Sequence, residues 1–250
     1  MRFLPLFLLA FLVGCDAVTE TDPAAPAVPS PEAFAFEPSF PTAKSMAGEH
    51  FNNGAVRVGV VSAIIGANLI LPSAATHAAT RTAPVVVDGV WIWESTFRIN
   101  NDDNTFRLEG EPAGREVDWN LSITNRDLDD FVLYTARTDF DGQTGDWQLF
   151  YLIDGARTEV LRADFEVTGA DSRELTFSVP PGRDAAGSTV LYTHDGDARG
   201  FDWFEAPENR SHLVEWDVLT KEGFIEADNY NGGVRSCWDA ALENALCPSS

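Results

Sequence analysis

The chain has 250 residues, 39 acidic and 17 basic side chains, a formal net charge of −22 and three cysteines. This length suits one large domain or two small ones, and it is long enough to bury a core without help from a metal or a disulfide. The acidic surface repels phosphate backbones and anionic headgroups, which excludes nucleic acid as the main partner. No phosphate-binding glycine loop occurs, which argues against a nucleotide site.

The first fifteen residues read MRFLPLFLLAFLVGC, an arginine and an apolar run too short to span a bilayer. The run ends in Leu12-Val13-Gly14-Cys15, which resembles the lipobox of bacterial lipoprotein precursors. The resemblance implies a signal peptide over residues 1–14, diacylation of Cys15, and anchoring in the bacterial cell envelope, at the outer membrane or cell surface. The alternative is an ordinary signal peptide in which Cys15 is incidental.

Residues 15–50 are predicted to form a disordered tether. Six prolines lie there among alanine, threonine, serine and acidic residues, and proline fixes φ and removes backbone donors. This composition favours extended, solvated chain over packed structure. Three aromatic residues are unusual for a spacer and provide an alternative, that part of the tether docks on the domain or on a partner: Phe34, Phe36 and Phe40.

A long uncharged stretch follows the tether, between Arg57 and Arg81. Apolar residues occupy nearly every position of residues 55–71, and a helix that is apolar all round belongs in a membrane or in a protein core. We expect N-cap chemistry at Asn52–Gly54 and an end at Pro72.

The anchor at Cys15 makes a second membrane element unnecessary. We therefore expect residues 55–71 to form the core helix of a β-domain that covers residues 51–250. A membrane-associated helix and a non-helical structure are the alternatives.

From Val85 onward the apolar residues recur with a period of two, which predicts β-strands, the clearest over Val117–Thr124. Short Asp-Gly and Gly-rich connections force consecutive strands to be antiparallel neighbours, and helical crossovers are missing. We predict a mainly β fold, a single antiparallel meander of about eleven strands in an open or closed barrel-like sheet, with the helix on its concave face. The other strands are expected to start near residues 89, 104, 131, 147, 158, 173, 188, 200, 212 and 223.

The C-terminal residues make two further predictions. Asp239–Leu246 has a helix-forming composition, which predicts a short C-terminal helix. Cys237 and Cys247 remain as an even pair after lipidation of Cys15, and such a pair in an exported protein is expected to form a disulfide. The alternative is two free thiols.

Tryptophans recur through the strand region at a loose spacing of about one hairpin. In one interpretation they fill the core between the curved sheet and the helix. In the other, some of them line a ligand cavity or an exposed sugar-stacking surface. The candidates for lining a ligand are Trp91, Trp93, Trp119, Trp147 and Trp203.

No catalytic signature is present. HExxH, a zinc spacing of Cys and His, and GxSxG are all missing from the sequence. Ser211 precedes His212, but a catalytic triad is a spatial arrangement rather than a sequence neighbourhood. The sequence therefore assigns no catalytic residue, and it favours a non-enzymatic protein. The histidines are His50, His77, His194 and His212.

Acidic turns are numerous, and Asp139-Phe140-Asp141-Gly142 begins like a calcium loop. The closing bidentate glutamate of such a loop is not in register, and turn chemistry explains aspartate before glycine without a metal. We therefore assign no cofactor or metal, and Ca²⁺ at the acidic turns is the alternative.

An N-terminal helix followed by about eleven strands on a lipid-anchored chain resembles, in architecture only, the lipoprotein carrier and receptor family of the bacterial outer membrane. That family holds acyl chains in an incomplete barrel. The resemblance implies an envelope protein that binds an apolar ligand (a lipid or an acyl chain) or a protein partner. The chain also resembles other bacterial envelope lipoproteins of this build, which imply no activity. This hypothesis predicts a cavity of a few hundred Å³ between helix and sheet.

Two other hypotheses compete with it. A carbohydrate-binding surface module requires at least two exposed Trp or Tyr rings in one plane. A hydrolase requires two facing carboxylates within roughly 5–10 Å in a cleft. The strand carboxylates that qualify as candidates are Glu94, Glu109, Glu205 and Glu215.

Overall fold

The structure, a computed structural model, describes residues 24–28, 39–42, 47–99 and 101–248. The predicted signal peptide, Cys15, Phe34 and Phe36 lie outside the described residues. Within the described part of the chain, one α-helix precedes fourteen strands of a single sheet, which is antiparallel throughout and not closed. Every strand pairs with its chain neighbours, in the order β1 to β14. The predicted mainly β meander with an N-terminal apolar helix is confirmed.

The helix, α1, covers Glu49–Ala79, and two 3₁₀ turns cover Ala206–Glu208 and Asn231–Gly233. The strands are β1 (Val85–Val87), β2 (Val90–Ile99), β3 (Asp102–Ala113), β4 (Glu116–Thr124), β5 (Phe131–Asp139), β6 (Thr144–Ile153), β7 (Ala156–Gly169), β8 (Ser172–Ser178), β9 (Thr189–Asp195), β10 (Ala198–Glu205), β11 (Arg210–Asp217), β12 (Gly223–Ala227), β13 (Ser236–Trp238) and β14 (Asn244–Ala245).

The eleven predicted strands correspond to β2–β12, and the three extra strands are short ones at the edges of the sheet. A strand of two or three residues has too few positions to show a period of two. The tight turns follow the expected chemistry. Asp88 and Gly89 have φ values of 51° and 85°, and Asp154 and Gly155 have values of 52° and 76°. Two positive φ values in a two-residue loop match the twist of antiparallel strands.

The predicted C-terminal helix is wrong. The Oδ1 atom of Asp239 accepts hydrogen bonds from the backbone N–H groups of Ala241 and Glu243, and Leu242 has a φ of 67°. These features make a tight turn, after which β14 returns along β13. The sulfur atoms of Cys237 and Cys247 lie 2.08 Å apart, the distance of a disulfide. A helix over the intervening residues would carry the chain away from β13 instead of back along it.

α1 is longer than predicted at both ends, so the expected core helix over residues 55–71 is too short. The residues expected to cap it, Asn52–Gly54, lie inside it, and Pro72 does not end it. Proline has no N–H to donate to the carbonyl group four residues earlier, here that of Asn68. The hydroxyl of Tyr151 in β6 donates to that carbonyl oxygen instead, at 3.0 Å. The sheet thereby supplies the hydrogen bond that proline removes.

One face of α1 is buried against the sheet and the opposite face is open, although both are apolar. Buried residues recur at helical spacing of three or four. They are Phe51, Gly54, Val58, Val61, Ile65, Leu69, Pro72, Ala75, Thr76 and Ala79. The exposed residues include Val56, Val60, Ile64, Ile70 and Leu71. The helix is long and apolar enough to cross a membrane, a test that core helices of soluble proteins also pass.

The sheet must curve around α1. The helix contacts β2–β4 and β12–β14, at opposite ends of the sheet. Eleven strand spacings separate β2 from β13, or about 53 Å across a flat sheet at ~4.8 Å each. Gly54 lies under Trp238 of β13, and the carbonyl of Ala79 accepts from Ser95 of β2. These helix residues are only about 37 Å apart at 1.5 Å per residue.

The core lies between α1 and the inner face of the sheet, where successive strands contribute every second side chain. Trp147 stacks on Phe165 with ring centroids 5.0 Å apart, and Phe201 stacks on Trp216 at 5.8 Å. The largest fully buried side chains are Trp119, Trp147, Trp238, Tyr134, Tyr192, Leu108, Leu121, Leu149, Leu175 and Ile225. Core and helix therefore form one hydrophobic unit.

Two described pieces of the predicted tether contact the domain. Phe40 packs against Phe51 and Trp216, with ring centroids 5.3 and 4.9 Å away. The backbone N–H of Ala27 donates to the carbonyl of Phe140 at 3.2 Å. Docking of the tether, the alternative raised by its aromatic residues, therefore occurs at Phe40.

The contact between Tyr151 and Asn68 can be tested by a double-mutant cycle with Pro72. Tyr151→Phe should destabilise the protein by about 1 kcal/mol, the usual net value of such a hydrogen bond. In the Pro72→Ala background the backbone N–H at residue 72 can donate to Asn68, so the same change should cost clearly less. Urea unfolding of the four proteins measures both costs. Equal costs in the two backgrounds would show that the hydroxyl does not replace the missing helix bond.

Candidate functional site

An apolar cavity of about 230 Å³ lies between α1 and strands β7–β10. Its lining is hydrophobic except for two serines and one carboxylate. The lining residues are Val61, Ile64, Ile65, Leu161, Phe177, Ser178, Val179, Ala185, Ser188, Val190, Trp203, Glu205 and Pro207. The space lies between helix and sheet, where the apolar-ligand hypothesis expects a cavity, and its volume is slightly below the ~300–1,000 Å³ typical of small-molecule sites.

The wall of the cavity follows from the two periodicities of the chain. Val61 and Ile65 are four apart and share one face of α1. Phe177 of β8 and Val190 of β9 are directly paired in register. Directly paired residues of antiparallel strands point to the same face of the sheet. The ring of Phe177 and the methyl groups of Val190 therefore both face the helix.

The rim is formed by the connection of residues 179–188 and by the 3₁₀ turn after β10. Ser188 joins these two segments, because its Oγ accepts a hydrogen bond of 3.0 Å from the backbone N–H of Ala206. Gly187 donates to the carbonyl of Val179 at 3.1 Å, which closes the longer connection on itself. The rim is therefore held by internal hydrogen bonds that leave the cavity lining apolar.

A row of polar side chains runs from α1 to the end of the cavity. The Nε atom of Arg57 donates to Nδ1 of His212 at 3.4 Å, and Arg57 also donates to Oδ1 of Asn229 at 2.7 Å. His212 lies in β11 and is stacked on Trp203, with ring centroids 4.6 Å apart. Its Nε2 atom is 3.8 Å from Oε2 of Glu205, a cavity-lining residue.

His212 is held neutral by its surroundings. Its side chain is buried, and burial together with the positive charge of Arg57 lowers its pKa, more than Glu205 and Asp228 raise it. Because Nδ1 accepts from Arg57, the hydrogen-bond pattern assigns the ring proton to Nε2, on the side of Glu205. Nε2 is buried and has no hydrogen-bond partner within the described part of the chain.

Of the five tryptophans predicted to line a ligand site, the structure places only Trp203 at the cavity. The other four are buried in the core. Trp91, Trp93 and Trp119 form a row with centroid separations of 6.4 and 5.8 Å. Trp119 donates from Nε1 to Thr138, and Trp147 stacks on Phe165.

No platform of exposed tryptophan or tyrosine rings occurs in the described ranges. All seven tryptophans and four tyrosines lie in the described ranges, and each is buried or half-buried. The carbohydrate-binding hypothesis requires at least two exposed rings in one plane. The geometry therefore favours the cavity over a sugar-binding surface.

The four carboxylates proposed for a hydrolase are divided between two regions. Glu94 and Glu109 both bind Arg107, at 3.3 and 2.8 Å, on β2 and β3. Glu205 lies at the cavity on β10, and Glu215 lies on β11 beside an outer groove. The structure thus does not collect them in one cleft.

The acidic turns have structural roles. Oδ1 of Asp139 accepts from the backbone N–H groups of Gln143 and Thr144, at 2.6 and 3.3 Å. Asp217 likewise accepts from Leu219 and Thr220, and these bonds lower its pKa. No group of three or more His, Cys, Asp or Glu side chains is placed to hold a metal ion in the described ranges.

A larger groove of about 660 Å³ runs across β9–β13 on the face that points away from α1. Its lining mixes Arg199, Glu215 and Asp217 with Phe224 and the disulfide residue Cys237. The groove is open to water, and its turn carboxylates already accept backbone hydrogen bonds. The apolar cavity is the better candidate because it combines a mainly apolar lining with one carboxylate that makes no hydrogen bond to another described residue.

Comparison with known proteins adds no relative. No family model, no curated protein and no solved structure matches this chain. Function therefore has to be inferred from the geometry of the cavity itself. That geometry can hold a small apolar group against the helix and present a hydrogen-bond acceptor at one end.

The neutral state of His212 predicts a pH dependence of stability. The unfolded chain binds a proton at the ordinary pKa of 6.5, whereas the folded state resists it. Stability should therefore be full above that pH and fall as the pH drops below it, by up to about 1.4 kcal/mol per pH unit for one proton. Urea unfolding at a series of pH values measures the slope.

His212→Asn keeps an acceptor for Arg57 and removes the titrating ring, so it should reduce the loss of stability between about pH 6.5 and 5. His77→Asn, in an exposed position on α1, is the matched control. An unchanged slope in the His212 variant would contradict the assignment of a neutral buried imidazole.

Proposed function

We propose that this protein binds a small apolar ligand, a lipid or part of an acyl chain, in the cavity between α1 and β7–β10. It acts as a non-enzymatic, lipid-anchored protein of the bacterial cell envelope. The observation that supports this proposal is the cavity itself, a partly open space of about 230 Å³ with a lining of mainly aliphatic and aromatic side chains. An unfilled apolar space of this size reduces stability unless something occupies it.

The size of the cavity sets the size of the ligand. At ~30 Å³ for each non-hydrogen atom, the space a water molecule takes in the liquid, it holds about eight such atoms. Each buried methylene contributes about 0.8 kcal/mol, or ~6 kcal/mol in total before the cost of association. Binding should therefore be reversible, with dissociation constants in the micromolar to millimolar range.

The open face of α1 provides a route to the cavity. Ile64 lines the cavity and is also 57% exposed, so the cavity borders on the exposed apolar face of the helix. Val60 is exposed on the same face, four residues before Ile64, and no formal charge occurs between Arg57 and Arg81. An apolar ligand can approach along this surface without passing a charged side chain of the helix.

The envelope location rests on residues 1–15, and the ordinary test of a lipobox is substitution of its cysteine. In cells fed labelled palmitate, the protein and its Cys247→Ser variant should incorporate label, whereas Cys15→Ser should not. The unlabelled variant should also leave the detergent phase on phase partition, because two acyl chains supply the anchoring energy. Label retained by Cys15→Ser would contradict the lipoprotein assignment.

A cavity-filling substitution tests the binding proposal. Val190→Trp adds an indole to the cavity wall and should weaken binding of an eight-carbon probe such as 1-octanol by at least tenfold, because the probe and the ring compete for the same volume. Val234→Trp is the matched control, since Val234 is 61% exposed and lies away from the cavity. Isothermal titration of the purified, delipidated protein measures both affinities.

Native mass spectrometry of the protein as purified supplies the companion measurement. A co-purifying apolar molecule that is lost in the Val190→Trp variant and kept in Val234→Trp is the expected result. Equal probe affinity in both variants would remove the cavity as the binding site.

A further inference from the structure

The structure assigns a ligand class to this cavity, an inference that rests on the proposed function. We infer that the ligand is an apolar chain or ring whose polar end is a hydrogen-bond donor, an amine or a hydroxyl. A chain that ends in a carboxylate is rejected. The feature that decides this is Glu205 at the polar end of the cavity.

Glu205 is the only ionisable side chain among the residues that line the cavity within the described chain. An ionised carboxylate accepts hydrogen bonds and donates none. No hydrogen bond between its carboxylate and another described residue occupies the oxygens, because the contact with His212 is 3.8 Å long. A ligand group that reaches the end of the cavity therefore meets a free acceptor.

His212 lies beside the Glu205 carboxylate without forming a hydrogen bond to it. The ring is 3% exposed, accepts from Arg57 through Nδ1, and directs its Nε2 proton towards Glu205 without a bonding partner. The separation of 3.8 Å leaves the carboxylate oxygens available to accept a hydrogen bond from another group. A donor on the ligand satisfies Glu205, whereas a second carboxylate would stand beside a like charge in a partly dry site.

The guanidinium of Arg57 is not placed to stabilise an anionic ligand in the cavity. Arg57 lies behind the ring of His212 and uses its other nitrogens on Asn53 and Asn229. It does not line the cavity, and it reaches Glu205 only through the histidine. The Oγ of Ser188 at the rim accepts from Ala206, and this hydroxyl carries no charge that would attract an anion. The polar end of the cavity thus presents a carboxylate and no competing positive charge.

Three probes of equal chain length separate the alternatives: octylamine, 1-octanol and octanoate, each below its micellar concentration at pH 7 and physiological salt. Isothermal titration of the purified, delipidated protein should give affinities in the order amine, alcohol, carboxylate. The amine should bind at least tenfold more tightly than the carboxylate, the ratio expected for one hydrogen bond to a charged group.

Glu205→Gln should weaken octylamine binding about tenfold and strengthen octanoate binding, because the amide is neutral and can both donate and accept. Glu174→Gln makes the same change in net charge at an exposed position outside the cavity, and it should leave all three affinities unchanged. Val190→Trp should weaken all three probes together. Unfolding midpoints of the variants establish that each one is folded.

The possible results are distinct. Octanoate binding as tightly as octylamine, with both lost in Val190→Trp, would overturn the donor-ended ligand and leave the cavity as the binding site. An equal effect of Glu174→Gln and Glu205→Gln would also overturn it, since bulk charge would then explain the preference. Failure of all three probes to bind would overturn the proposed function together with this inference.

Discussion

The orientation of α1 about its own axis is the constraint on which the rest of the structure depends. Because the helix is apolar on every side, burial of hydrophobic surface alone does not select the face that meets the sheet. Polar contacts select it. Arg57 meets His212 near the first turns, the carbonyl of Asn68 meets Tyr151 in the middle, and Thr76 meets the hydroxyl of Tyr134 near the end, at 3.0 Å. A rotated helix would leave buried hydroxyl and imidazole groups without partners. Because the newly buried face would be no more apolar than the present one, rotation would bring no hydrophobic gain to offset the lost hydrogen bonds.

The strands could be predicted from sequence because their signals are local. The alternation in Val117–Thr124 and the two-residue turn at Asp154-Gly155 are contained in the segments that they describe. The end of α1 could not be predicted, because the group that compensates Pro72 is Tyr151, which is distant in sequence. The prediction of a C-terminal helix was wrong for a related reason. Their composition favours a helix, but Asp239 and the pairing of β13 with β14 impose a turn.

The cavity is the feature of the molecule that is least predictable from the sequence. Phe177 and Val190 look like any other inward-facing strand residues. Nothing in their sequence pattern distinguishes a residue that lines a cavity from one that is packed in the core. The space between them and Ile65 depends on how closely a helix and a curved sheet approach each other. Trp203 was predicted to line a ligand site because it is a tryptophan. The four other tryptophans predicted on the same ground are buried in the core. Glu205 carried a signal only as a strand carboxylate, and its partner His212 comes from the neighbouring strand.

The contact of α1 with both ends of the meander has a consequence for the order of folding. Each strand of the sheet can pair with the strand made just before it, whereas the backbone N–H of His50 is bonded to Asn244, 194 residues away. Closing so long a loop is slow and has to wait for the last strands. During that interval the long apolar helix lacks half of its partners and is prone to aggregate. Docking of α1 onto the sheet is therefore among the last steps of folding, and it waits until residues 223–245 have formed their strands.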